Sequence, residues 1–212
     1  MLAGAATLLS LLATPAEAEW ETVATGAITV KARPRADSDV FEIWAEADLD
    51  APVKDLQDTL TSVDQFGKFL PYVKAAKEVS KDADGSVYNY TELGLPVISD
   101  RDYVVRVWLD ESVAADGSGN YRTHWVAAPD KLAEQSSYVR VKVNEGSWCI
   151  TPKEGGKSHI VYKFAADPGG LLPTWAKNLG NRRGVTATLE AIEKEAQRRQ
   201  KERAAAATKP TP

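Results

Sequence analysis

The residues best suited to binding a ligand lie at positions 95–107, in the segment LPVISDRDYVVRV. A polar Ser-Asp-Arg-Asp run is followed by alternating apolar and polar residues, a period that indicates a β-strand. Arg101 therefore stands where a loop becomes a strand. If that strand lines a cavity, Arg101 places a cation at its edge, where an anionic or zwitterionic group could bind. The alternative is a surface salt bridge with Asp100 or Asp102, which would contribute little stability.

The residue types that usually perform catalysis are sparse and poorly placed. His124 and His159 are the only histidines, and alternation puts each opposite an apolar neighbour, Trp125 or Ile160, and so facing away from a cavity. Nucleophilic catalysis needs a base within hydrogen-bond reach of a nucleophile. No paired carboxylates, phosphate-binding glycine loop or metal-ligand spacing is present. We therefore expect no catalytic residue, no metal and no cofactor, and a protein that is not an enzyme.

Composition restricts the function further. The 212 residues suffice for one domain with a sizeable core. A net charge of −4 gives no general attraction to nucleic acid, and we expect a monomer. The single cysteine, Cys149, excludes an intramolecular disulfide and lies in an apolar run, where cysteine acts as a small hydrophobic residue.

The two ends of the chain differ from its middle. Residues 1–18 are apolar and end in Ala16-Glu17-Ala18, a pattern typical of a signal peptide cleaved after Ala18, although no Lys or Arg precedes the apolar run. An Ala-rich leader without a targeting role is the alternative. We expect a periplasmic or secreted protein whose domain covers residues 19–203, and a disordered tail at 204–212.

Hydrophobic periodicity predicts an α+β protein. Strands are expected at 19–35, 40–48, 73–80, 87–93, 101–113, 121–128, 138–150 and 158–165. Two short helices at 51–63 and 65–70 follow the second strand, and a long helix at 172–203 closes the domain. After Ile192 that helix is charged on all sides, which favours a solvated extension. A long antiparallel sheet twists and curls, so we expect it to wrap around the long helix and to leave an internal space.

The strand phase selects the candidate binding residues. If Arg101 faces inward, Tyr103, Val105, Val107 and Leu109 do too. Residues of the predicted loop at 94–100 could cover the mouth of the cavity or touch a membrane surface transiently. Candidates on the other elements complete the predicted ligand-binding set: Tyr90, Val97, Ile98, Tyr121, Trp125, Val141, Trp175 and Leu179. The hydroxyl groups of Tyr90 and Tyr103 are expected to hydrogen-bond a polar group of the ligand.

Three segments in the second half resemble a known family. They are LPVISDRDYV, then SSYVRVKV followed by Ile150-Thr151-Pro152, and then SHIVYKFAADPGGLLPTWAKN. In this order they are similar to START domains, the lipid-transfer branch of the helix-grip proteins, and the likeness runs from about residue 20 to 196. The chain is shorter than the family at its N-terminal end, and its export signal is unusual there.

The resemblance implies a helix-grip fold that holds one lipid in an internal tunnel without converting it. Family members bind sterols, phospholipids, ceramides or other hydrophobic molecules, and Arg101 would be a tunnel residue able to meet a phosphate. Two alternatives stay open: a helix-grip enzyme such as a polyketide-type cyclase or hydrolase, and a partner-binding module that uses the charged end of the helix.

Overall fold

The computed structural model describes residues 18–35, 40–96, 98–170 and 174–207, with the side chains of the last helix described for 183–206. The elements are β1 (Glu21–Ala24), β2 (Ile28–Pro34), β3 (Phe41–Leu49), α1 (Val53–Thr61), α2 (Phe66–Phe69), β4 (Val73–Lys81), β5 (Val87–Leu93), β6 (Arg101–Glu111), β7 (Tyr121–Ala127), β8 (Val139–Arg140), β9 (Val143–Pro152), β10 (Ser158–Asp167) and α3 (Thr174–Ala207). Short 3₁₀ turns at Val63–Gln65, Pro129–Lys131 and Glu154–Gly156 join them.

Within the described residues, ten strands form one sheet in the order β1-β2-β3-β10-β9-β7-β6-β5-β4, with β8 beside β6. The neighbours are antiparallel, except that β8 pairs with β6 in parallel. The sheet curves around α3, so the predicted helix-grip α+β fold is confirmed. We call the sheet face that packs against α3 the inner face, and the opposite face the outer face.

The core forms where α3 and α1 meet the inner face. On α3, residues at helical spacing are almost fully buried: Val185, Leu189, Ile192 and Ala196. They pack in one cluster with inner-face residues of β3, β9 and β10 and with α1. Helix α1 begins after Pro52. The first N–H groups of a helix have no partner within it, and proline has no N–H that would need one. Alternate residues of β3 from Ile43 to Leu49 face this cluster, as a period of two requires.

Two predicted strands are each divided in the structure. The strand expected at 19–35 becomes the β1–β2 hairpin, and Gly26 occupies its turn with φ +147°, a conformation that favours glycine. The strand expected at 138–150 is interrupted at 141–142, because β8 leaves to pair with β6 while β9 continues beside β10. Apolar residues lie on both sides of each break, so the sequence pattern alone did not reveal them.

The charged end of α3 is only in part the solvated extension that was expected: residues 200–206 are exposed, whereas Glu195 and Ala196 are buried. Arg203 pairs with Asp55 of α1, whose side chain is fully buried. Arg199 contacts Glu195 at 2.8 Å and donates to the carbonyl oxygen of Asp58 at 2.9 Å. These contacts hold the last turns of α3 against α1.

Candidate functional site

Cross-strand register identifies the side chains on the inner face. Val107 of β6 pairs with Trp125 of β7, and Trp125 pairs with Gly146 of β9. Gly146 pairs with Phe164 of β10, which in turn pairs with the buried core residue Ile43. The same phase on β6 places three further residues on this face: Arg101, Tyr103 and Val105. The predicted inward phase of this strand is confirmed from Arg101 to Val107, whereas Leu109, which was also expected to face inward, is 58% exposed. The ligand-binding role of these residues stays a prediction.

Arg101 is buried at one end of the inner face, with 3% of its surface exposed. Its guanidinium donates to the carbonyl oxygen of Ser99, and to those of Pro168 and Gly169 at 3.3 Å each. Burial lowers its pKa. Arg101 therefore joins the loop before β6 to the turn before α3. The alternative prediction, a surface salt bridge between Arg101 and Asp100 or Asp102, is wrong. The Asp100 carboxylate binds Lys74, and the Asp102 carboxylate binds Arg140.

Asp102 and Arg140 form a buried ion pair on the outer face that the sequence did not predict. The two nitrogen–oxygen distances are 2.8 and 2.9 Å, and the two side chains are each 1% exposed. The bond to Asp102 raises the pKa of Arg140. Arg140 also donates to the carbonyl oxygens of Pro129, Leu132 and Ala133. The pair therefore fixes the loop between β7 and β8 to the sheet.

Tyr90 does not share the inner face with Tyr103, so this part of the predicted site is wrong. Tyr90 pairs with Val104, whose neighbours in the strand, Tyr103 and Val105, point to the other side. Its hydroxyl oxygen accepts a hydrogen bond from Gln135 at 3.0 Å, and the Lys77 ammonium lies 5.7 Å from the ring centre. Tyr90 belongs to the outer-face contacts of the 129–138 loop.

An aromatic cluster lies at the centre of the inner face. Tyr162 stacks on Trp148 with ring centres 3.8 Å apart, and on Phe164 at 4.6 Å. Trp125 lies 6.1 Å from Tyr162. A Cβ atom at Gly146 would overlap the Trp125 ring, so glycine is required for this packing. Our prediction included only Trp125, although alternation in GSWCI and HIVYKF could have indicated the other three.

The inner-face tyrosines lie deep in the protein. Burial raises the pKa of Tyr103 and of Tyr162. Burial raises the pKa of Tyr121 to about 12. Tyr103 and Tyr162 nevertheless keep an intermediate fraction of exposed surface, whereas Tyr121 is buried.

The remaining predicted binding residues are distributed as follows. Val105 and Tyr121 are buried on the inner face, and Val107 and Ile98 are half-buried. Val141 is buried between β8 and β9, where its N–H donates to the carbonyl oxygen of Asp102 at 2.9 Å. Val97 and the side chains of Trp175 and Leu179 lie outside the described residues.

The two histidines lie on the outer face, as expected. His124 contacts Asp110 at 2.8 Å and stacks on Trp108, and His159 contacts Asp48 at 2.8 Å. In the described ranges, no group of His, Cys, Asp and Glu side chains could hold a metal ion. Among the described helices, none combines the length and apolarity needed to cross a membrane.

A curved sheet wrapped around a C-terminal helix, with an inner face rich in apolar and aromatic residues, defines a helix-grip protein. The chain belongs to the START domain family, whose model matches residues 2–201.

Similar proteins agree with this membership. Phosphatidylcholine transfer protein from Rattus norvegicus is 33% identical over 147 residues, which cover 67% of this chain and 66% of that protein. A STAR-related lipid transfer protein from Xanthomonas axonopodis has a TM-score of 0.72 at 26% identity, covering 84% of this chain and 98% of the solved one. The chain matches between half and two thirds of the length of its curated relatives.

The fold also occurs in enzymes. The Zhui aromatase/cyclase from a Streptomyces species has a TM-score of 0.54 at 16% identity, covering 74% of this chain and 94% of that one. This likeness shows a shared fold alone.

Proposed function

We propose that this protein binds a single lipid molecule between the inner face of the sheet and α3, and carries or senses it without chemical conversion. Relatives named as lipid transfer proteins support the ligand class. The position of both histidines on the outer face supports a role without acid–base chemistry. Lipid binding would derive mainly from burial of apolar surface, at about 25 cal/mol per Å² before the costs of association.

The observation that carries this proposal is the partial exposure of the central aromatic cluster. Trp148, Tyr162 and Phe164 lie on the inner face, and burial raises the pKa of Tyr162. Each of the three side chains still keeps accessible surface. Protein interiors are close-packed, and a filled core would leave such central side chains with almost none. The combination supports a hollow bordered by these rings.

Arg101 is the residue suited to a charged head group. Three of its N–H groups bind the carbonyl oxygens described above, which are neutral partners. A guanidinium has five N–H donors, so two remain for a ligand. A phosphate would supply the counter-charge that the carbonyl groups lack, and charge-assisted hydrogen bonds are roughly twice as strong as neutral ones.

The loop at 94–100 and the turn before α3 are suited to act as a gate for the lipid. Arg101 bonds both segments, and Gly169 and Gly170 have φ values of +66° and +71°. Leu95 and Ile98 on the loop are half-buried, and loop movement would expose them to a membrane during transfer. Hydrogen exchange tests the gate: lipid should slow exchange in residues 94–100, and protection equal to that of the sheet, with and without lipid, would argue against it.

We further propose that the protein acts as a monomer after export to the periplasm or the medium, with cleavage after Ala18. Sequencing the N-terminus of protein from its own host tests this, and an intact N-terminus would contradict it.

Native mass spectrometry of protein purified from its own host tests the central proposal. We expect a one-to-one complex with a lipid that organic extraction releases chemically unchanged. Finding only free protein after incubation with phosphatidylcholine or sterol vesicles as well would contradict lipid binding, and a chemically altered product would favour an enzyme.

A further inference from the structure

We propose that Asn89 and Tyr103 form a polar subsite on the inner face that binds a hydroxyl group of the lipid. This inference rests on the proposed lipid-binding function and names a feature that the ligand must carry. It begins from Asn89, whose side-chain oxygen Oδ1 is buried and has no hydrogen-bond partner in the described part of the chain.

The position of Asn89 is set by β5. Asn89 pairs with Val105 of β6. On the same face of β5, Thr91 pairs with Tyr103, and Val87 pairs with Val107. Asn89 therefore shares the inner face with Tyr103. A buried amide oxygen without a donor costs about 1–3 kcal/mol, so it marks a place where a partner is expected.

The cross-strand neighbours of Asn89 cannot supply the missing donor. Val105 is apolar, and Glu78 on the β4 side presents a carboxylate, which accepts hydrogen bonds. A ligand group can complete the set, because the hollow proposed above borders this face.

Tyr103 supplies the second half of the subsite. Asn89 and Tyr103 are diagonal neighbours on adjacent strands, a relationship that places Cβ atoms about 7–8 Å apart and within reach of long side chains. A hydroxyl group between them would donate to Oδ1 of Asn89 and accept a hydrogen bond from the Tyr103 hydroxyl. Neither residue carries a formal charge, so the subsite favours a neutral group.

The subsite is separate from the Arg101 end of the inner face. Asn89 pairs with Val105, four residues beyond Arg101 on β6, which corresponds to about 13 Å along a strand. A lipid whose polar end binds Arg101 would need a hydroxyl group about 13 Å from that end to reach Asn89. A lipid with a single hydroxyl as its only polar group would instead place that group at Asn89.

A competition experiment tests the subsite. The full-length protein is incubated with phosphatidylcholine vesicles that contain equal amounts of a long-chain primary alcohol and its methyl ether, and the bound lipids are extracted and quantified. The ether retains an acceptor but has no O–H donor. We expect wild-type protein to prefer the alcohol by about ten-fold. Asn89→Leu, of similar size, should abolish that preference, whereas Tyr103→Phe should weaken binding of both lipids, because both oxygens can accept from Tyr103.

Asn144→Leu is the matched control, because this inner-face amide oxygen already accepts a hydrogen bond from Trp125 Nε1 at 2.9 Å. Its preference for the alcohol should equal that of wild type. Thermal unfolding without lipid adds a second readout: Asn89→Leu should be at least as stable as wild type, because it removes an unpartnered buried acceptor.

The outcomes separate the two proposals. Equal binding of alcohol and ether by wild type would overturn the subsite and leave lipid binding intact. A destabilised Asn89→Leu variant that keeps the preference would show a structural role for Asn89 and overturn the subsite too. Failure of wild type to take up the alcohol, the ether or the phosphatidylcholine would instead contradict the lipid-binding function.

Discussion

Asp102 and Arg140 form a two-point ion pair that is almost completely removed from solvent, and Arg140 holds three carbonyl oxygens of the 129–133 loop at the same time. Asp102 directly follows Arg101 in β6, so the side chains of consecutive residues are bound on opposite faces of the sheet. One fixes an outer loop, and the other joins the segments around the proposed lipid site.

Removal of one partner of the buried pair should destabilise the protein strongly. Asp102→Ala leaves the Arg140 charge buried without its counter-charge, which costs about 3–5 kcal/mol. Denaturant unfolding measures the loss. Asp100→Ala is the control, because Asp100 binds Lys74 at the surface and its loss should change stability little. Equal losses of stability in the two variants would contradict the prediction that burial makes the Asp102–Arg140 pair important.

Arg101→Leu should weaken binding of a phospholipid more than binding of a neutral sterol. Loss of a charge-assisted contact to phosphate corresponds to about ten-fold or more in affinity, whereas a sterol has no phosphate to lose. Titration with fluorescent phosphatidylcholine and fluorescent sterol measures both affinities. Arg122→Leu, an exposed position on β7, is the control. If both ligands lose affinity equally in Arg101→Leu, Arg101 does not select the head group.

Filling the hollow should block lipid uptake with little loss of stability. Val107→Trp adds volume on the inner face beside Trp125, where Val107 is only half-buried. In a filled core the same substitution would cost about 1–3 kcal/mol through overpacking. Lipid extraction and denaturant unfolding together distinguish the two cases.

Val126→Trp supplies the matched control for that experiment, since Val126 lies next to Trp125 in the chain, faces outward and is 41% exposed. It should leave lipid uptake unchanged. A Val107→Trp variant that unfolds readily would indicate that this part of the inner face is filled.

Acid should weaken the ion pairs of Glu195 near the end of α3. Hydrogen bonds from Arg198 lower the pKa of Glu195 from 4.5 to about 2. A lowered folded-state pKa stabilises the protein above the unfolded value, and this stabilisation is lost as the pH falls from 4.5 towards 2. The stability difference between wild type and Glu195→Gln should therefore shrink over this range in denaturant unfolding. Glu190→Gln, exposed on the same helix, is the matched control substitution.

Much of the fold could be predicted from local sequence pattern. The strand expected at 87–93 agrees with β5, and the inward phase of β6 from Arg101 is confirmed. Alternation over several residues specifies a strand and divides its side chains between two faces. Alternation also predicted that both histidines face outward, because each is next in the chain to a residue whose apolar side chain must face the core.

Tertiary structure decided which groups meet. Alternation places Tyr90 and Asn89 on opposite faces of β5, but only pairing with β6 shows which one is inside, since a shift of one residue would exchange them. Asp102 and Arg140 are 38 residues apart, and Arg203 and Asp55 are 148 apart. A local sequence pattern carries no information about contacts across such separations. The sequence by itself determined the elements and their apolar faces, whereas the register of the strands and the docking of α3 decided the ion pairs and the residues around the proposed lipid site.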